Sequence, residues 1–126
     1  MTLPAKDREF LLLHNPRCSK SRAVKALLDE HGGAYTEREY LSDPLSREEL
    51  GELRALLDKP AREWVRAGED AYAAAGLDAN SGDDAHLDAM AAHPILMERP
   101  IVVHGGAALV GRPPSVVLEL FDQEPA

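Results

Sequence analysis

Cysteine is nearly absent from this sequence: among 126 residues only Cys18 carries a thiol. A lone cysteine excludes an intramolecular disulfide framework and a thiolate-rich zinc site. An unpaired thiol suits a reducing compartment, and the opening MTLPAKDREF holds no apolar stretch of the signal-peptide kind. A cytoplasmic setting is therefore expected. Long hydrophobic runs are missing too. Phe10–Leu13 is far short of the ~20 residues that span a bilayer, so no membrane role is expected. Aromatic residues make up only 5%, which leaves the core to aliphatic side chains. Positive charge is in the minority, with 14 Lys and Arg against 22 Asp and Glu and a net charge of −8. Nucleic-acid partners need a basic footprint, and the chain as a whole has none. His31, His86, His93 and His104 show no metal-ligand spacing, so no metal is expected.

What is present suits one domain over 1–126. REFLLLH, Arg8 to His14, is a short apolar run that predicts a buried strand. Asn15-Pro16 breaks it. Ser19 to Glu30 then carries Val24, Leu27 and Leu28 at helical spacing, and His31-Gly32-Gly33 closes that helix. Ala34 to Leu41 alternates and predicts a second strand. Strand, helix and strand at this length imply parallel pairing.

A helical insertion of about 46–93 follows. Ser46 and Glu49 form a capping box ahead of Leu50, Leu53, Leu56 and Leu57. Shorter helices are expected over 61–67, within 68–76 and over 84–92, with Trp64 and Val65 inward. Ile101-Val102-Val103 and Ala107 to Val110 predict a hairpin turning at His104-Gly105-Gly106. The diglycine opens a hairpin rather than a helix, so it is no phosphate loop. Ser115 to Phe121 predicts a last helix. The expectation is an α/β domain with a mixed sheet of about four strands, ordered β-α-β, helical insertion, β-β-α.

Cys18 falls at the start of the first predicted helix, inside HNPRCSKSR. Backbone N–H groups there are unpaired and favour an anion, so the thiol should ionise easily and act as a nucleophile. Arg22 lies one helical turn on, where its guanidinium can lean towards the sulfur or an anion over it. His14 lies four residues before, at the strand's end. Arg17 reads as a solvated loop charge. Arg99 and Arg112 each precede proline and flank the hairpin, from which a bidentate fork can reach the Cys18 helix.

Three stretches together resemble the glutaredoxin-coupled arsenate reductases of the ArsC family. They are HNPRCSKSR, HPILMERPIVV from His93 to Val103, and GRPPSVVLELF from Gly111 to Phe121. The resemblance implies a thioredoxin-like fold. It makes Cys18 the nucleophile and Arg62, Arg99 and Arg112 the oxyanion-binding arginines, with Arg66 the other candidate for the insertion arginine. His14, Ser21 and Arg22 become supporting residues, with Ser21 bonding the thiolate, and Pro100 becomes cis. It further implies arsenate reduction through a covalent Cys18 adduct. Glutathione and glutaredoxin are the external reductants, and no cofactor is bound. The chain departs from well-characterised members in reading Ser19-Lys20 where they have Gly-Thr, which opens the identity of the oxyanion. The same group includes the Spx regulators, so the alternative is a thioredoxin-like regulatory or redox-sensing protein. Spx-type proteins often carry Cys-x-x-Cys. Here Ser21 occupies the second position, so no dithiol switch can form.

Overall fold

A strand buried on both faces needs apolar residues at every position, and FLLL supplies them. In the computed structural model, which describes residues 10–30, 35–104 and 107–121, this stretch is β1, Phe10–Leu13. Its alternate residues divide between two cores. Phe10 and Leu12 face one cluster with Val24 and Leu28 of helix α1, Ser19–Glu30. Leu11 and Leu13 face the other, built largely from the insertion. Strand β3, Ile101–His104, divides in the same way. Val102 joins the α1 side, while Ile101 and Val103 join the insertion side. The two-residue period of a strand sorts these side chains without further instruction.

Strand β2, Tyr35–Arg38, pairs parallel with β1, as the α1 crossover requires. β3 pairs antiparallel with β1 in a register that sets Leu13 opposite Ile101. Strand β4, Ala107–Val110, completes the hairpin and the sheet order β2-β1-β3-β4. His104 belongs to β3 rather than to the turn. The expected turn glycines Gly105-Gly106 and the helix closure His31-Gly32-Gly33 lie outside the described residues.

The insertion opens with α2, Arg47–Leu57, and its capping box forms as expected. Ser46 Oγ accepts the Glu49 N–H at 3.1 Å, and Glu49 Oε1 accepts the Ser46 N–H at 2.9 Å. The Glu49 carboxylate also takes both arms of Arg38, at 2.7 and 3.1 Å. The Arg38–Glu49 pair is largely shielded from water and ties the end of β2 to the start of α2. That arginine holds Glu49 below the usual carboxylate range, against the upward push of burial.

The helix expected over 61–67 ends early. Ala61–Glu63 forms one 3₁₀ turn, and the chain then extends. Val65 bridges to Met97, the Arg66 N–H donates to the Leu96 carbonyl at 2.7 Å, and the Glu98 N–H donates to the Trp64 carbonyl at 3.0 Å. Trp64, fully buried, anchors this short pairing in the insertion core. Local helix preference yields here to tertiary pairing. Helix α3 is brief, Asp70–Ala74, and α4 spans Asp83–Ala92. The last expected helix also divides. Pro114–Val117 is 3₁₀, and only Leu118–Phe121, α5, is α-helical. Pro113 and Pro114 lack N–H donors and hold their φ angles, which favours the tighter turn first. Among the described residues, no helix is long and apolar enough to cross a membrane.

Candidate active site

Parallel strands β1 and β2 end side by side, and binding crevices in open α/β sheets lie outside such carboxyl ends. The loop leaving β1 carries Cys18. Asn15 shapes that loop: its carbonyl accepts the Cys18 N–H at 2.9 Å, and its Oδ1 accepts the Arg17 N–H at 3.0 Å. The Cys18 carbonyl in turn accepts the Arg22 N–H at 3.0 Å, the first backbone bond of α1. Cys18 is therefore the N-cap of α1, and its sulfur occupies the place where a capping oxygen usually sits.

This position settles the acidity of the thiol. Burial alone pushes it up. The backbone N–H groups of Ser21 and Lys20 bond the sulfur, and the charges of Arg99 and Arg112 reach it. Together they outweigh burial and bring the thiol below its ordinary value. Alkylation of Cys18 followed against pH should therefore show a midpoint below the ~8.5 of a free thiol. A midpoint at or above that value would count against the N-cap account.

Both hairpin arginines converge here. Arg112 Nε donates to the Arg99 carbonyl at 2.7 Å, which turns its Nη2 to 3.9 Å from the Cys18 sulfur. Arg99 precedes Pro100, and that bond is cis, as the resemblance implies. The Arg112-Pro113 bond is cis as well, which sequence reasoning missed. Among the described residues, Arg99 Nε and Nη1 are buried with no hydrogen-bond partner. Buried donors without acceptors are costly, so their retention at this place suits an anionic ligand.

The supporting residues act differently from expectation. The Ser21 hydroxyl sits 2.7 Å from His14 Nδ1 and accepts the Asn15 N–H at 3.0 Å. It clamps the loop, and it is the Ser21 backbone N–H that bonds the sulfur. Arg22 does not lean on the thiol. Its Nη1 donates to the Pro16 carbonyl at 2.9 Å and braces the same loop from outside. His14 is lowered by burial and by the charges of Lys25 and Arg22, against a raising effect from Glu39. It therefore stays neutral near pH 7.

A cavity of about 410 Å³ opens beside Arg112, bordered by Val65, Arg66, Gly68, Glu69 and Glu98. Arg62 does not border it and stands exposed on the 3₁₀ turn. Arg66 is the insertion arginine that the pairing of residues 64–66 with 96–98 brings alongside. It is tethered to Glu69 at 2.5 Å and to Glu98 at 3.7 Å. Those carboxylates pair with Arg66, and the cations that reach the sulfur are Arg99 and Arg112.

The alternating run 34–41 places Tyr40 on the second expected strand and gives it no part in the site, but the strand ends at Arg38. Tyr40 is almost fully buried just beyond β2, and its phenol is pushed up to about 12 by burial. The charges of Arg99 and Arg66 and an Asn15 side-chain bond pull it the other way. The signal that points to it is topological: it follows a strand parallel to the one that presents Cys18.

A profile described as the ArsC family matches residues 13–120. A protein named arsenate reductase from Neisseria meningitidis serogroup A is 46% identical over 110 residues, covering 83% of this chain and 92% of that one. An Escherichia coli protein named YfgD, described as uncharacterized, is 43% identical over 115 residues, covering 90% and 97%. The solved structure of an arsenate reductase from Vibrio cholerae superposes with a TM-score of 0.85 at 44% identity, covering 91% of this chain and 99% of that one. The four-stranded mixed sheet with its helical insertion is the thioredoxin-like fold of these relatives.

Proposed function

The chain belongs to the ArsC family, and from that premise we propose that it is an oxidoreductase that reduces arsenate to arsenite with an external thiol. The observation that carries this reading is the pair of buried, unpartnered Arg99 donors beside an acidified Cys18. A tetrahedral oxyanion satisfies those donors, and Arg112 supplies a second fork.

The chemistry follows from those positions. The Cys18 thiolate attacks arsenic; a sulfur–arsenic bond forms and one arsenate oxygen leaves as water after protonation. Arg99 and Arg112 stabilise the charge on the remaining oxygens. A glutathione thiolate then attacks the Cys18 sulfur. A sulfur–sulfur bond forms, the sulfur–arsenic bond breaks, and its electron pair stays on arsenic, which leaves as arsenite. A glutaredoxin thiol takes the glutathionyl group, and Cys18 returns as thiolate. The sum is one arsenate and two thiols giving arsenite, a disulfide and water. No second cysteine is available in the chain, so the second thiol must come from outside. Such chemistry belongs in a reducing cytoplasm.

The reading is tested by NADPH oxidation in a mixture with glutathione, glutaredoxin and glutathione reductase. The expected result is oxidation that depends on arsenate and on this protein together. No rate above the protein-free control, with every coupling component active, overturns it. That outcome would leave the regulatory or redox-sensing alternative standing.

A further inference from the structure

A second cavity borders the loop that leads to Cys18. It measures about 260 Å³ and is walled by the two loops that follow the parallel strands, chiefly Asn15, Pro16 and Arg17 from one and Glu39, Leu41 and Ser42 from the other. Its wall differs from that of the cavity beside Arg112. Leu41 is 43% exposed, one of two large hydrophobic residues so exposed among the described residues. With Pro16 it gives the cavity an apolar side. Arg17 and Glu39 bring one charge of each sign, and neither side chain carries a salt bridge among the described residues. Glu39 acts electrostatically on His14, which also borders the cavity. The Arg17 backbone is fixed by Asn15 Oδ1, which leaves the guanidinium as the group available to a ligand.

We propose that this cavity is a subsite for an amino-acid zwitterion, the γ-glutamyl end of the thiol co-substrate. The ligand class follows from the wall. The Arg17 fork pairs with an α-carboxylate, the Glu39 carboxylate pairs with an α-ammonium, and Leu41 and Pro16 cover the methylenes between. A simple oxyanion leaves Glu39 opposed, and a purely apolar ligand strands both charges. The volume lies just under the ~300–1,000 Å³ of small-molecule clefts, so it holds one end of a tripeptide rather than the whole. Arg17 directly precedes Cys18, with Cα atoms ~3.8 Å apart, so a ligand held here lies on the same loop as the nucleophile. Naming the ligand as the reductant rests on the arsenate-reduction reading above. Binding itself is measured without arsenate, so the two can fail separately.

The test is a titration of the full chain with S-methylglutathione, which keeps the γ-glutamyl end and cannot react, followed by backbone amide NMR. Saturable shifts at residues 14–17 and 39–42 are expected. S-methyl-cysteinylglycine, which lacks the γ-glutamyl group, should give none. Arg17→Gln and Glu39→Gln, both exposed positions, should each weaken binding tenfold or more while leaving the amide spectrum otherwise folded. Absence of saturable shifts, equal binding of both peptides, or variant affinities within twofold of the unaltered protein would each overturn the proposal.

Discussion

Replacing Cys18 by serine should abolish arsenate-dependent turnover to the protein-free background and leave the fold intact. The two halves of that expectation come from the same atom. The sulfur is the only thiol in the chain, so nothing else can bond arsenic in its place. It is also the N-cap group of α1, held by the N–H groups of Lys20 and Ser21. Serine is among the preferred N-cap residues, and its oxygen accepts those donors.

The two proteins should differ in how stability follows pH. A thiol acidified on folding contributes stability that is fully present above its unfolded value and is lost as pH falls through its lowered folded value. Serine has no such ionisation. Urea unfolding should therefore show the cysteine protein gaining on Cys18→Ser as pH rises from about 6 to about 9, across the free-thiol value near 8.5. Residual turnover in the serine protein would remove the sulfur from the mechanism. A constant stability difference across that range would remove the acidified thiol.

Arg99→Met should move activity and stability in opposite directions. Removing one preorganised donor to a developing oxyanion typically costs ~10²–10³-fold in rate, and a loss of that size in kcat/KM is expected. Yet Arg99 Nε and Nη1 are buried without partners. An unsatisfied buried donor costs roughly 1–3 kcal/mol, more for a charged group. Methionine keeps much of the length and needs no acceptor. The variant free of ligand should therefore be more stable, by about 1–2 kcal/mol in chemical denaturation. Its Cys18 thiol should ionise at higher pH, because one of the two guanidinium charges reaching the sulfur is gone. Arsenate should raise the melting temperature of the unaltered protein and not that of Arg99→Met, since only the former holds the ligand in its native state. Loss of stability on substitution would show that the guanidinium has partners of its own.

Much of the site was legible in order but not in contact. The strand–loop–helix frame of Cys18 could be read because its signals are local: an apolar run, a proline break and helical spacing. The boundaries Ser19 and Glu30 emerge as expected. The capping box could be read for the same reason. Arg66 could not be separated from Arg62 because the deciding contact lies about thirty residues further along the chain, where Leu96 and Glu98 draw residues 64–66 out of the helix their own preferences favour. Helical spacing puts Arg22 and Ser21 on α1, but one dihedral choice decides whether a side chain meets the sulfur or the loop. Both chose the loop. Tyr40 and the Arg17–Glu39 cavity depend on two parallel strands ending together. That pairing was expected, and its consequence for the residues beyond the strand ends appears only in three dimensions.

The pairing of Leu13 with Ile101 makes the sheet the ruler of this site. Cys18 is counted forward from one partner, along the braced loop, and Arg99 backward from the other, so the gap between sulfur and guanidinium is measured from one paired rung of the sheet. A one-residue slip of a strand turns every side chain to the opposite face. Lengthening or shortening the chain between Arg99 and Ile101 by one residue therefore parts nucleophile from cation. Changes within α3 and the loop after it leave that gap alone, because they lie outside the measured interval. The exposed loop after α3 is thus open to remodelling without parting sulfur from guanidinium, while the two short strands at the centre hold the chemistry in gauge.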